Sequence, residues 1–197
     1  MKKLSTQELF DKYCTKKEHT KEVCRLSLLI FEEVNKNLKE MSNRKKDILI
    51  SAATLHDIGY SVNEDFHNKY SQKLVLEEGL SDFSEKETKI ISCICRYHRG
   101  ELPDKKEDKI YKNLDKDERK TVKRLGGILR IADYLEDNEI GKIVDIKIKN
   151  DEEDYKTEII VYTENKIIPD IKTIIRKKTL FEYGFRTQTV LKFRKIK

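Results

Sequence analysis

The sequence lacks any run of apolar residues that approaches the ~20 needed to span a bilayer. Its N-terminus, MKKLSTQELFDKYC, has acidic and polar residues where a secretory signal would need an unbroken apolar stretch. Proline is scarce, with two residues in 197, and no internal repeat or low-complexity linker is visible. We therefore expect a soluble, cytoplasmic protein without a membrane partner, built as one substantial domain or as one domain with a small appendage.

Cysteine is also scarce, and no Cys-x-x-Cys pair occurs. The four cysteines are Cys14, Cys24, Cys93 and Cys95. The last two lie two residues apart in a helical pattern, where such neighbours point to different sides. This spacing favours reduced, buried thiols over a zinc–thiolate site or a disulfide framework.

Charged residues are abundant instead. They make up 40% of the chain beside 37% hydrophobic residues, and the net charge is +6. Residues 142–197 hold 14 basic and 9 acidic side chains, so most of the excess positive charge lies there. Such a segment suits an anionic ligand and is equally an ordinary solvated surface. Charge alone does not favour specific nucleic-acid binding.

Helical periodicity dominates the first 140 residues, and alternating or β-branched runs follow. The capping boxes Ser5-x-x-Glu8 and Ser84-x-x-Glu87 each predict a helix start. Gly59 and Gly79 are expected to end helices. Helices are predicted after Ser5, at 15–38, 44–57 and 63–79, after Ser84, at 117–138, and at 168–184 with Pro169 in its first turn. Strands are predicted at 142–150, 155–163 and 187–195.

The predicted fold is mostly α. A helical bundle would occupy residues 1–141, and a small C-terminal α+β extension at residues 142–197 would pack on it. Apolar residues in the extension could serve a homodimer.

The chain has only four histidines, and each falls on or beside the apolar stripe of a predicted helix: His19, His56, His67 and His98. Asp57 follows His56 in the stretch LHDIGY, and Asp133 lies beside inward-facing residues of the helix at 117–138. One histidine on an apolar face is more often a satisfied core residue than a ligand. Burying a carboxylate beside an imidazole is costly unless each has a partner. Four histidines and two carboxylates together favour a metal site, and the absence of thiolates favours octahedral ions.

The pattern His19 … His56-Asp57 … Asp133 resembles the H…HD…D signature of the HD metal-dependent phosphohydrolase superfamily. LHDIGY, FHNKYSQKLV, IISCICRYHRGELP and LGGILRIADYLED are similar, in order and spacing, to the C-terminal HD-like domain of exopolyphosphatase/guanosine pentaphosphate phosphohydrolases (Ppx/GppA). The likeness covers most of the chain. The actin-like catalytic domain that precedes this region in those enzymes is missing, so we expect a stand-alone HD domain to which that domain's active site does not transfer.

The resemblance implies a divalent-metal site of one or two ions, drawn from Mn, Fe, Ni, Co, Mg and Zn. The first ion would be held by His19, His56, Asp57 and Asp133. His67 and His98 would hold the second, with Asp57 bridging both. Two ions ~3.5–4 Å apart can activate a water and neutralise the charge of a phosphoryl group.

The expected catalytic residues are Asp57, His98 and Arg130. The expected substrate-binding residues are Arg99, Arg130, Lys69 and Arg96, because arginine and lysine suit phosphate oxygens. The alternatives are that Arg130 pairs with Asp133 or Asp137 and that Arg99 is an ordinary surface residue.

These observations predict a metal-dependent phosphohydrolase, a phosphomonoesterase or phosphodiesterase, acting on a nucleotide or another small phosphoester through metal-activated water. One alternative is a non-catalytic accessory module that binds polyphosphate or nucleotide through the basic end: Lys172, Arg176, Lys177, Lys178 and Arg186. Another is a purely structural partner protein. Tyr60 stands where related nucleotidases have glutamate and cyclic-dinucleotide phosphodiesterases have lysine, so the sequence does not name the substrate.

Overall fold

The computed structural model describes residues 3–137, 142–164 and 170–196. The helices are α1 (Thr6–Tyr13), α2 (Lys17–Asn37), α3 (Asn43–Leu55), α4 (His67–Glu78), α5 (Glu85–Tyr97), α6 (Lys109–Asn113), α7 (Lys116–Asp137) and α8 (Ile171–Phe185). The strands are β1 (Ile143–Asp151), β2 (Lys156–Thr163) and β3 (Gln188–Lys195). The predicted class, mostly α with a small C-terminal α+β extension, is confirmed.

Both predicted capping boxes are present at helix N-termini. The Ser5 hydroxyl accepts from the Glu8 N–H at 3.2 Å, and the Glu8 carboxylate accepts from the Ser5 N–H at 2.7 Å. Ser84 and Glu87 repeat the arrangement at the start of α5. Each cap satisfies N–H groups that the first turn of a helix leaves without a partner.

Glycine acts differently at the two predicted helix ends. Gly79 ends α4 with a φ of 68°, as a C-terminal glycine should. Gly59 does not end α3; it lies in a 3₁₀ turn at Ile58–Ser61, beyond the end of α3 at Leu55. A Cβ on Gly59 would lie 2.0 Å from the carbonyl oxygen of His67, so this position needs glycine because the start of α4 packs directly on the turn.

Two further differences concern helix starts. The predicted helix at 63–79 begins only at His67, and the polar segment after α5 contains the short helix α6, which the sequence did not indicate. Asp108 begins α6 by accepting from the N–H groups of Ile110 and Tyr111. Pro169 and the predicted start of its helix lie outside the described residues.

The extension is a three-stranded sheet that docks on the bundle. Strand order is β1-β2-β3, with β1 and β2 antiparallel and β2 and β3 parallel, so α8 is the crossover between parallel neighbours. Arg25 of α2 donates to the Ile143 carbonyl at 2.8 Å, and Glu33 of α2 accepts from the Ile148 N–H at 3.0 Å. The predicted boundary at residues 141 and 142 adjoins the undescribed residues 138–141 and stays a prediction.

Helix α8 runs antiparallel along α7 at close range, because glycines lie where the two helices meet. A Cβ on Gly127 of α7 would lie 2.5 Å from the Cα of Phe181, and one on Gly184 of α8 would lie 2.9 Å from the Cα of Arg124. Real Cβ atoms do not approach backbone so closely, and the crossing therefore depends on glycine. It brings the first half of α8 beside the part of α7 that carries Asp133.

The four cysteines are free thiols. Cys93 and Cys95 are buried on α5, and burial raises the pKa of both thiols. Among the described residues, no helix has the length and apolar character needed to cross a membrane.

Candidate metal centre

Four imidazoles and two carboxylates meet between α2, α3, α4, α5 and α7. His19 is on α2, His56 follows the last residue of α3, His67 begins α4, His98 follows the last residue of α5, and Asp133 is on α7. Asp57 adjoins His56. All are buried except His19, whose side chain is 14% exposed. The structure thus brings together the six residues for which the sequence predicts metal ligation; that role itself stays a prediction.

Asp57 lies at the middle of the cluster. Its Oδ1 is 3.5 Å from His56 Nε2, 3.3 Å from His67 Nε2 and 3.4 Å from His98 Nε2. Its Oδ2 is 3.4 Å from His19 Nε2. One carboxylate therefore faces the Nε2 atoms of all four histidines, from both of its oxygens.

Three of the rings are oriented by backbone carbonyls. Nδ1 of His56 lies 2.7 Å from the Ala53 carbonyl oxygen, and Nδ1 of His98 lies 2.7 Å from that of Cys95. His67 makes the same contact with the Glu64 carbonyl at 2.7 Å. A carbonyl only accepts, so each Nδ1 carries a proton, and in the neutral ring the lone pair is on Nε2, directed at Asp57.

Helix ends explain why these contacts form. His56 and His98 stand directly after α3 and α5, where the last carbonyls of a helix have no N–H partner within it. Each ring satisfies one of those carbonyls, three residues back, while its other nitrogen points into the cluster. The helix end thereby fixes both the tautomer and the direction of the lone pair.

His19 is oriented by a side chain instead. Its Nδ1 is hydrogen-bonded to the Glu136 carboxylate, one turn beyond Asp133 on α7. Burial lowers the pKa of His19, but the bonds with Asp57 and Glu136 outweigh burial and raise that pKa to about 9. His19 Nε2 lies 3.2 Å from His56 Nε2. The sequence analysis missed Glu136, although its spacing of three from Asp133 places both on one helix face.

The donor set fits a divalent cation. Asp57 Oδ1 is buried and has no hydrogen-bond partner within the part of the chain that the structure describes. Burial raises the pKa of Asp57, but the surrounding histidines lower it by more than burial raises it. The net decrease below the usual pKa favours the ionised carboxylate. Burial lowers the pKa of His98 to about 3 and also lowers that of His67, which favours neutral imidazoles. An unpaired carboxylate oxygen facing neutral nitrogen lone pairs is the arrangement that a cation satisfies.

Two groups of ligand atoms overlap at His56. His19, His56 and Asp133 form one group, and His56, Asp57 and His98 form the other; the ligand atoms of each lie within 4.8 Å of one another. Asp133 Oδ1 is 3.7 Å from His19 Nε2 and 3.8 Å from His56 Nε2.

Asp133 Oδ2 faces the opposite way and accepts from Lys177 Nζ at 2.6 Å. The two oxygens of Asp133 thus have separate neighbours, histidines on one side and α8 on the other. Burial raises the pKa of Asp133, but Lys177 and the histidines lower it below its usual value. No local sequence pattern indicates that Lys177 reaches this carboxylate.

A cavity of about 690 Å³ opens onto the cluster, a volume suited to a small organic ligand. Its lining combines three acidic and four basic residues with two of the histidines and several small or apolar groups. The lining residues are Asp57, Tyr60, His67, His98, Arg99, Gly100, Glu101, Leu102, Arg130, Asp133, Arg176, Lys177 and Thr179.

The four cations for which the sequence predicts substrate contact have two different locations. Arg130 and Arg99 line the cavity. Arg130 is buried and donates to the carbonyls of Gly100 and Glu101 rather than to Asp133. The Arg99 Nη1 lies 3.3 Å from His67 Nε2.

The other two cations point elsewhere. Arg96 donates to the Gln72 side chain at 3.1 Å and lies 3.5 Å from Asp108, in a polar cluster behind α5. Lys69 is exposed, with Nζ 5.3 Å from the centre of the Phe66 ring. Neither residue is part of the cavity lining, because their places on α5 and α4 face away from it.

Tyr60 supports the cluster from the side. Its ring stacks on that of His67, with centroids 3.8 Å apart and an angle of 17° between the planes. Lys16, which directly precedes α2, has its Nζ 3.5 Å from the centre of the Tyr60 ring. Tyr60 thus orients a candidate ligand.

Comparison with known proteins assigns most of the chain. Residues 1–170 match a family model described as Ppx/GppA phosphatase, domain III. No curated protein matches the chain. The match ends one residue before α8 begins.

Proposed function

The chain belongs to the Ppx/GppA phosphatase domain III family, and we propose that it is an HD-type, divalent-metal-dependent phosphohydrolase acting on a small phosphoester such as a nucleotide. One observation carries the proposal: buried Asp57 Oδ1 faces three histidine Nε2 atoms and has no hydrogen-bond partner among residues 3–137, 142–164 and 170–196. A buried charge without a partner is strongly destabilising, and a cation removes that penalty.

A divalent ion bound here would supply Lewis-acid activation of water and neutralisation of phosphoryl charge. His19, His56, Asp57 and Asp133 would hold one ion, and His67 and His98 with Asp57 would hold a second. The backbone carbonyls and Glu136 keep the rings in the ligating orientation, so little rearrangement is needed on binding.

The cavity supplies what a phosphoester needs besides a metal. Arg130 and Arg99 present guanidinium groups, which match phosphate oxygens in geometry and charge. Leu102 and Thr179 offer a less polar surface for the organic part of a substrate. A non-catalytic binding module would use the same cations, but it gives no reason for burying Asp57 among four histidines.

The first prediction concerns the ligand pair. His56→Ala combined with Asp57→Ala should abolish stoichiometric metal binding and reduce hydrolysis to background, because it removes a ligand shared by both groups and the central carboxylate. Metal content is measured by mass spectrometry on protein purified without chelator. Hydrolysis is measured with p-nitrophenyl phosphate, its bis ester and a nucleotide panel, in Mn²⁺, Ni²⁺ or Co²⁺.

Asp47→Ala is the matched control, since Asp47 is an exposed carboxylate on α3, the helix that directly precedes His56 and Asp57. It should leave metal content and hydrolysis unchanged, and circular dichroism should show the same helix content for every variant. Unchanged metal content in the double variant would refute the ligand assignment. Absence of both metal and hydrolysis in the unaltered protein would refute the enzyme.

A further inference from the structure

The cavity has a wall of cations outside the segment that matches the family. Arg176 and Lys177 are adjacent on α8 and line the cavity together with Arg130 of α7. Neither Arg176 nor Lys177 lies within residues 1–170. The glycine-dependent crossing of α7 and α8 holds this wall against the metal centre.

Arg130 is a buried cation with an unused donor. The residue is 4% exposed, and its two Nη atoms donate to the carbonyls of Gly100 and Glu101. Its Nε has no hydrogen-bond partner among the described residues. Leaving such a buried donor unpaired is destabilising, and more so when the group is charged. The free Nε lies in a side chain that forms part of the cavity wall.

Arg176 adds a second guanidinium nearby. No hydrogen-bond or ion-pair partner of Arg176 lies among the described residues, which end at 196 with gaps at 138–141 and 165–169. Burial lowers the pKa of Arg130 to about 10, Asp133 opposes that decrease, and repulsion from Arg176 adds to it. Two guanidinium groups that repel each other at one wall are stabilised by an anion between them.

Lys177 is only partly engaged. Its Nζ donates to Asp133 Oδ2, and an ammonium group has three donors, so two remain for the cavity. The lining contains four basic and three acidic side chains, before any bound metal ion is counted. A bound divalent ion would raise the positive charge further.

We propose that Arg176 and Lys177 of α8, together with Arg130, bind the phosphoryl oxygens of the ligand, which makes α8 a substrate-binding element. The inference rests on the proposed function for the identity of the anion as a phosphoester. Lys177 also keeps Asp133 Oδ1 turned toward the histidines, so it is a positioning residue for that carboxylate. Arg176 forms no hydrogen bond or ion pair with a candidate metal ligand in the described part of the chain, so its substitution tests the anion site rather than the metal centre.

The test uses inorganic phosphate as the probe. Arg176→Gln should raise the dissociation constant for phosphate about tenfold, measured by calorimetry on the full chain with and without Mn²⁺, because one charge-assisted contact is lost. Arg194→Gln is the control: it is the same substitution, and it removes one positive charge at an exposed position of β3 outside the cavity. It should leave the constant within twofold. Thermal unfolding verifies that both variants fold.

Equal affinities for phosphate in Arg176→Gln and the unaltered protein would overturn the inference, as would equal weakening by Arg194→Gln. Sulfate titrations distinguish a general anion site from a phosphate-selective one. Tight sulfate binding that is lost in Arg176→Gln would support an anion site at Arg176 but would contradict selectivity for phosphate. Hydrolysis separates the two proposals. If no phosphoester is hydrolysed but Arg176→Gln still weakens phosphate binding, the anion site stands and the enzyme fails. If hydrolysis occurs with unchanged KM and phosphate affinity in Arg176→Gln, the enzyme stands and the anion site fails.

Discussion

His56, His67 and His98 each use one ring nitrogen for the backbone and the other for the cluster. Nδ1 donates to the carbonyl three residues back, and Nε2 faces Asp57. The orientation of these three candidate metal-ligating rings is therefore determined largely by the local conformation of the chain. Substituting a neighbour in the core therefore disturbs this part of the centre less than changing the helix ends would.

The exception is His19, which depends on Glu136. Removing that carboxylate by Glu136→Ala should weaken metal affinity about 10–100-fold, because an orienting partner of a ligating histidine is lost. The dissociation constant is measured by competition with a chelator. Glu136→Gln, which retains an acceptor, should weaken affinity less.

Glu18→Ala is the matched control for this change, since Glu18 is an exposed glutamate on α2 that pairs only with Lys21 in the described part of the chain. It should leave metal affinity unchanged. If Glu136→Ala matches this control, the hydrogen bond to His19 has no orienting role.

At the residue scale, the sequence predicted the cluster but only part of the cavity. Histidines on apolar stripes, beside carboxylates, are visible as a pattern, and all of them converge. Arg96 lies two positions before His98 and Lys69 two positions after His67, but both face away, because residues two apart on a helix point in different directions. Arg176 and Lys177 were visible as part of a basic segment, but their place at the cavity follows from a helix crossing that no local pattern encodes.

At the scale of elements, helix and strand positions were predicted well because capping boxes, glycine and periodicity are local signals. The functions of individual glycines were harder to predict. Gly59 was expected to end a helix and instead permits close contact between two segments. Gly127 and Gly184 permit the contact of α7 with α8, and that contact depends on the partner segment rather than on neighbours in sequence.

Adjacent glycines on α7 allow a test of the crossing. Gly127→Ala should destabilise the protein by about 1–3 kcal/mol, since its Cβ would lie 2.5 Å from the Phe181 backbone. Gly126→Ala should be near neutral or stabilising, because its Cβ would meet only the flexible Leu180 side chain at 3.2 Å and alanine favours helix by about 1 kcal/mol. Denaturant unfolding measures both.

The same pair tests whether the crossing serves the cavity. Gly127→Ala should also weaken phosphate binding, because it displaces α8, whereas Gly126→Ala should not. Equal stability and equal phosphate affinity in the two variants would contradict the packing described for α7 and α8.

At the scale of the whole molecule, the metal centre joins distant parts of the chain. His19 and Asp133 are 114 positions apart, and their ligand atoms lie 3.7 Å apart. An ion that binds only the folded chain stabilises it by mass action. We therefore expect folding of the bundle and metal binding at the candidate centre to be linked.

Metal removal should lower thermal stability accordingly. At an ion concentration 100 times the dissociation constant, stabilisation is about 2.7 kcal/mol, which for a chain of this size corresponds to roughly 5–10 °C in Tm. Differential scanning calorimetry before and after chelation, followed by readdition of Mn²⁺, measures the shift. The His56→Ala, Asp57→Ala variant should show no shift; a shift of the same size in that variant would indicate binding elsewhere.

The parallel pairing of β2 with β3 restricts how the cavity can open. Because α8 connects these neighbouring strands, a swing of α8 would have to break a ladder that runs from Lys156 opposite Gln188 to Thr163 opposite Lys195. The cavity-lining segment at residues 100–102 is held, as far as the described residues show, only by two hydrogen bonds that Arg130 donates to its carbonyls. We therefore expect ligand entry and product exit on the loop side, at loop timescales, while α8 stays fixed as the wall against which a ligand is bound.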